Sequence, residues 1–316
     1  MDIYLVGGIS ANLKPLWQRI ATRGGHEMLL FLAGCYARPY CIEEWYKARG
    51  LLEDTGKEAD KNMDMYLAGI QGKANAFATQ PDENLKPKEK GIHILESFFY
   101  ADEFTERMIP YFGKFLLDSG AFTLFSDPKR GKNVVWEDYV DRYADFIRRN
   151  NVEHFFELDI DKLVGYDKVI ELRRRLEKAA GRPCIPVWHK FRGKDKFLRM
   201  CDEYKYVSIG GIVSKEITPN EYKYFPWFID HAHRKGAKIH GLGFTALQGI
   251  TKYHFDSVDS TAWTTGNRFG AVYIFDGRSM KKVVKKEGQW LKDSRAVAIN
   301  NFNEWVKFQR YAETHL

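Results

Sequence analysis

Cysteine is scarce in this chain, and its four copies, Cys35, Cys41, Cys184 and Cys201, lie far apart with no Cys-x-x-Cys pair. That spacing excludes a disulfide framework and a sequence-local zinc site, and each thiol is expected to be buried as a small apolar residue. Long hydrophobic runs are also missing. None approaches the ~20 residues that a membrane-spanning helix needs. The opening Met-Asp-Ile-Tyr-Leu-Val-Gly-Gly carries an acid at position 2 and no basic region, so it does not read as a signal peptide, and the chain is expected to stay in the cytoplasm. Neither an internal repeat nor a low-complexity tract is found, which removes solenoids and linker-like chains from consideration.

What the sequence does hold is enough apolar material for a large core: 44% hydrophobic and 15% aromatic residues over 316 positions. One α/β barrel of about 250 residues with decoration fits that length. Lys and Arg number 49 against 42 acids, a net charge of +7, a basic bias compatible with a nucleic-acid partner. Short apolar runs alternate with longer, helix-like polar segments, the pattern of parallel strands with crossover helices. The runs are Ile3-Tyr4-Leu5-Val6, Met28-Leu29-Leu30-Phe31-Leu32, Phe115-Leu116-Leu117, Phe155-Phe156-Glu157-Leu158, Cys184-Ile185-Pro186-Val187-Trp188, Tyr206-Val207-Ser208-Ile209, Ile239-His240-Gly241-Leu242 and Phe255-Asp256-Ser257-Val258. Helical periodicity is found over 13–23, 136–149, 167–179, 219–234 and 289–312. The reading is a single domain over 1–316, a (β/α)8 TIM barrel with an elaborated N-terminal crossover and no zinc subdomain. Residues 42–92 read as an insertion or mobile segment, polar and Pro-broken over 80–90, and 93–100 is ambiguous between strand and helix.

Chemistry-bearing residues cluster at the ends of these runs. Leu116-Leu117 leads into Asp118-Ser119-Gly120, Leu158 into Asp159-Ile160-Asp161, Ile209 into Gly210-Gly211, and the last run contains Asp256 and Asp259. Acids and glycines at the C-terminal ends of buried parallel strands occupy the catalytic face of a barrel. The ordinary structural reading of each alone is a helix cap for the acids and a plain turn for the glycines. Side chains alternate along a strand, so only one of Asp256 and Asp259 is expected to face the barrel mouth.

In this order, Asp118-Ser119-Gly120-Ala121-Phe122, an acid after the fourth strand, Ile209-Gly210-Gly211-Ile212 and Asp256-x-x-Asp259 resemble the tRNA-guanine transglycosylase superfamily. Its barrel enzymes carry Asp-Ser-Gly-Gly-Phe-Gln, Ile-Gly-Gly-Leu and Asp-x-Phe-Asp in the same sequence. The resemblance spans roughly residues 114–265. There are departures: Ala121 and Thr123 replace the family's Gly and Gln, and the Cys-x-Cys-x-x-Cys zinc cluster near the C-terminus is absent. A chain without that cluster is most similar to the phage-type, DpdA-like branch, which places 7-deazaguanine bases into DNA.

The resemblance implies a pentosyltransferase that exchanges guanine in DNA for a free 7-deazaguanine base, with tRNA as the alternative polymer and no cofactor. It makes Asp259 the nucleophile and Asp118 the general acid/base. Asp159 would hydrogen-bond the base edge and Gly211 would contact the base through its backbone, with Ser119 and Gly210 beside them. Trp188 and His189 stand where the family has a base-contacting Gln. Lys129, Arg130 and Lys132, after the third strand, would neutralise phosphates, as would the Lys190–Lys194 loop, with the basic run from Lys281 to Lys286 as the other polymer track. A barrel glycosidase, a sugar-phosphate lyase and a barrel that only binds nucleic acid remain as other readings. His231 and His233 lie two apart on a helix and do not share a face. Gly241-Leu242-Gly243 lacks the rest of a dinucleotide fingerprint, and Tyr222, Tyr224, Phe225, Trp227 and Phe228 read as helix packing.

Overall fold

The computed structural model describes residues 28–33, 37–52, 91–126, 134–244, 252–264, 270–284 and 293–316. Among these, eight parallel strands form one sheet: β1 (Leu29–Ala33), β2 (His93–Ser97), β3 (Lys114–Asp118), β4 (His154–Phe155), β5 (Val187–Trp188), β6 (Tyr206–Ile209), β7 (Lys238–Gly241) and β8 (Ser257–Ser260). Their order is β4-β3-β2-β1-β8-β7-β6-β5, and a parallel bridge from Phe156 to Ile185 joins the two ends. The sheet curls on itself, and the fold is a TIM-type α/β barrel.

The strand list differs from the sequence expectation at its start. The run at 3–6 and the helix over 13–23 lie outside the described residues. The run beginning at Met28 supplies β1, and the ambiguous 93–100 segment supplies β2. The long connection therefore separates the first two strands, and it opens in a helix, α1 (Pro39–Lys47), so a boundary at 42 cuts through a packed element. Residues 53–90 are outside the described set.

Helices form where apolar residues recur at helical spacing and the termini suit the helix dipole. In α2 (Glu103–Met108) the side chain of Asp102 caps the Thr105 N–H at 3.0 Å. After α3 (Ala121–Ser126) comes α4 (Trp136–Arg149), with Glu137 and Asp138 in its first turn and Arg148 and Arg149 in its last. It buries Tyr139, Val140, Tyr143, Ala144, Phe146 and Ile147. Following α5 (Asp161–Val164), α6 (Tyr166–Ala180) packs on α4 and ends at the left-handed Gly181. α7 (Lys194–Glu203) and α8 (Phe225–Arg234) cover the next crossovers, α8 burying Phe225, Trp227 and Phe228 as expected. A hairpin, β9 (Ala271–Phe275) and β10 (Met280–Val284), precedes α9 (Ser294–His315), which lies over β9 and β1. Among the described residues, no helix is long and apolar enough to cross a membrane.

Inside the barrel, Phe31, Leu95, Leu116, Phe156 and Val187 form an apolar layer. The junction of β4 and β5 needs more than two short strands supply. Glu157, fully buried, accepts from the Val187 N–H at 2.8 Å, Arg173 Nε at 2.6 Å and an Arg192 nitrogen at 3.2 Å. Arg192 in turn grips Asp161 with two nitrogens. Removing the charge from a buried, paired carboxylate leaves its cations uncompensated, a loss of about 3–5 kcal/mol. Glu157→Gln is expected to lower the urea midpoint by that much stability with an unchanged m-value, and a loss below about 1 kcal/mol would place the closure elsewhere.

Candidate active site

Three carboxylates converge at the C-terminal mouth. Asp118 ends β3, Asp159 follows β4 and Asp259 lies within β8. Strand parity selects between the acids of β8. Asp256 accepts from the Ile239 N–H at 2.8 Å and pairs with His233 of α8 at 2.8 Å, on the helix side of the sheet. Asp259, three residues on and so on the opposite face, is 6% exposed and meets His240 of β7 from inside the barrel.

The end of β3 is fixed by α4. The Tyr143 hydroxyl is shared between the carbonyls of Leu117 and Phe156 at 3.0 and 3.1 Å, and the Tyr139 hydroxyl donates to the Ser119 carbonyl. The chain then turns through Gly120, whose φ is +72° and where a Cβ would lie 2.5 Å from the Phe99 Cβ. That turn presents the Gly120 N–H to Asp118 at 2.9 Å. Burial pushes the Asp118 carboxyl up to about 6. Asp159 and Asp259 add to the rise, and the backbone N–H groups of Gly120 and Ser119 oppose it. Ser119 joins the site through that N–H. Its side chain is buried and its hydroxyl accepts from the Ala121 N–H at 3.4 Å, which closes the turn.

At the opposite wall, His189 stands between two acids. Its Nε2 lies 2.5 Å from Asp159 and its Nδ1 3.2 Å from Glu216. Burial disfavours its charged form, but the two carboxylates outweigh it and raise His189 to about 9. Glu216 is held at about 2, since the His189 cation overcomes the opposing effect of burial. His189 is therefore an imidazolium near neutral pH. Phe191, half exposed, stacks on its ring with centroids 5.5 Å apart. Gly210 packs against it, because a Cβ there would come within 2.7 Å of Val187 Cγ1 and 3.0 Å of the imidazole. Gly211 lies next to Glu216.

Trp188 is a correction. It was one of two candidates, with His189, for the base contact, yet strand alternation sends it outward. Its ring packs on Phe197 and Phe228 and its Nε1 donates to the Gly193 carbonyl at 2.8 Å. Arg192 is likewise spoken for by Glu157 and Asp161, so it does not offer itself to phosphate, and Lys190 pairs with Glu221 at 2.6 Å. Lys129, Arg130 and Lys132 lie outside the described residues, while Lys281 and Lys282 are exposed on β10. Asp159, Asp161 and His189 place ligand atoms within 4.8 Å of one another. Both Asp161 oxygens are engaged by Arg192 and both His189 nitrogens by acids, so these donors form an ion-pair chain rather than a vacant metal cradle.

Glu216 and His240 belong to the site although the sequence reading passed over them. The signals were an acid shortly after Gly-Gly and a polar ring inside an apolar strand. As to known proteins, no family model matches the chain and no curated protein matches it. One solved structure to which it is similar is that of "QR15, an Aldolase", at 12% identity and a TM-score of 0.36, covering 54% of this chain and 76% of that one. A likeness at that level bears on neither activity nor residues.

The Asp118 shift has a measurable sign. Its folded-state pKa of about 6 stands above the ordinary 3.8, so its ionisation costs stability in the folded protein. The cost is absent below about pH 4, grows between about 4 and 6, and is complete above that. Asp118→Asn is expected to be more stable than wild type at pH 7 by on the order of 2 kcal/mol, with the gap closing as pH falls to about 4. Urea melts across that range check it; a gap independent of pH would mean that Asp118 is not the strained carboxyl.

Proposed function

We propose that this chain is a base-exchange transglycosylase that replaces guanine in DNA with a 7-deazaguanine derivative through an intermediate covalently linked to Asp259. The observation that carries the reading is the pairing of roles at one barrel mouth. One inward carboxylate, Asp259, is held by hydrogen bonds, and a second, Asp118, is raised to about 6 partly by the charge of the first. A nucleophile needs the ionised form, and an acid/base needs a pKa near the working pH. The logic is that of retaining glycosidases, where two carboxyl groups divide these tasks.

In the first displacement a carboxylate oxygen of Asp259 bonds to C1′ of the target nucleotide. The C1′–N bond breaks, its electrons leave with the guanine, and Asp118 gives that base its proton. In the second, the incoming base loses its N–H proton to Asp118 and its nitrogen attacks C1′. The Asp259 oxygen departs, so the new base sits on the original face. Asp159 takes the donor edge of the base, since a carboxylate accepts what the guanine N–H groups offer. His189 and Glu216 hold Asp159 in place from behind. The target nucleotide must be turned out of its stack to reach C1′ at the bottom of such a mouth.

Asp259→Asn is expected to abolish exchange, by at least about 10³-fold, with the fold intact, because the amide is nearly isosteric and a poor nucleophile. Wild type incubated with guanine-containing DNA should give a denaturation-resistant protein–DNA adduct that the variant lacks. Label release from tRNA and not from DNA would move the substrate to tRNA. Loss of exchange in Asp256→Asn but not in Asp259→Asn would overturn the assignment.

A further inference from the structure

Behind Asp259 lies a string of buried polar groups that the exchange reaction as described does not use. Oδ1 of Asp259 accepts from the Gly243 N–H and faces His240 Nε2 at 3.2 Å. The other ring nitrogen of His240, Nδ1, is 2.6 Å from the Ser257 hydroxyl, and that hydroxyl also meets the Tyr206 hydroxyl. His240, Ser257 and Asp259 belong to adjacent strands, His240 pairing with Ser257 in register, and both are fully buried. The ring of His240 is wedged among Phe31 and Phe156, with centroids at 6.2 and 5.2 Å. An apolar barrel interior does not ordinarily spend a histidine, a serine and a tyrosine on one another, because each polar group must find its partner there.

For a neutral His240 ring, one proton assignment satisfies every link. Tyr206 donates to Ser257, Ser257 donates to Nδ1 of a neutral His240, and Nε2–H donates to Asp259. Two N–H groups then converge on the same oxygen, which fixes the rotation of the carboxylate about its Cβ–Cγ bond. The other oxygen, Oδ2, accepts no hydrogen bond among the described residues and is left to react. We propose that His240 is a positioning residue for Asp259: it locks the carboxylate with Oδ2 toward the mouth, and Ser257 and Tyr206 set the tautomer that lets it do so. The role rests on the transglycosylase reading; the tautomer does not.

The tautomer is read in the wild-type protein by nitrogen-15 NMR of the histidine rings. The expected result is a neutral ring with hydrogen on Nε2 and none on Nδ1 at pH 7; an Nδ1–H ring would overturn the proposal. The role is read by single-turnover formation of the Asp259–DNA adduct. His240→Leu fills the same space without a donor and is expected to slow adduct formation about 10- to 100-fold, the worth of a hydrogen bond to a charged group. Half-saturation by the free base should stay within about 2-fold, because the base does not touch His240. His240→Gln returns an N–H toward Oδ1 and is expected to recover most of the rate, which mere core filling would not achieve. Adduct formation at the wild-type rate in His240→Leu, or no recovery in a folded His240→Gln, would overturn the role. If wild type forms no adduct with either polymer, the transglycosylase reading falls and the role falls with it, while the NMR result still decides the tautomer.

Discussion

The barrel closes on a side chain. β4 and β5 are two residues each, and a single backbone bridge, Phe156 to Ile185, spans them. Glu157 continues the ladder where the backbone does not, accepting the Val187 N–H and drawing Arg173 and Arg192 onto the same carboxylate. A charge this deeply buried is tolerable only when paired and hydrogen-bonded on both oxygens. The same pairing ties α6 and the segment after β5 to the strand that leads to Asp159. The wall of the mouth that carries His189 is thereby set by an ion pair beneath it.

From that constraint follows an uneven treatment of the acids at the mouth. Asp161 is neutralised by Arg192, Asp159 by the His189 cation, and Asp259 by two N–H groups on one oxygen. Asp118 receives backbone N–H groups but, among the described residues, no cation, and it is the carboxyl driven up to about 6. The barrel thus separates carboxyl groups of one chemical type by what stands behind each one. A reaction needing one ionised and one protonatable acid is served by that separation.

The sequence made much of this legible because strands impose parity. Asp118 and Asp259 were placed at the mouth by apolar runs ending in turn residues; alternation required that only one of Asp256 and Asp259 face it, and the resemblance named Asp259. The same rule failed at Trp188 and His189 because β5 is too short for its register to show in sequence; only its pairing with Ser208 and Ile209 reveals which residue faces inward. β2 was ambiguous because His93 and Glu96 look out of place in a buried strand. Their acceptability depends on distant partners, His93 meeting Glu313 of α9 at 3.0 Å. Glu216 reaches His189 only because the chain reverses after Gly211, at φ +79°, and Ile217 donates back to the Gly211 carbonyl. Such non-local satisfaction leaves no periodic trace.

The helix that lies over β1 reaches into the sheet itself. The Gln309 side-chain amide donates to the carbonyls of Leu30 and His93 and accepts the His93 N–H, bridging β1 and β2 where their own ladder stops. Its partner Leu30 is 279 residues away in sequence. On a ribosome, β1 and β2 emerge long before the residue that satisfies them, and three buried backbone groups wait for it. The barrel's first two strands are thus completed last, and synthesis from the N-terminus gives them no head start.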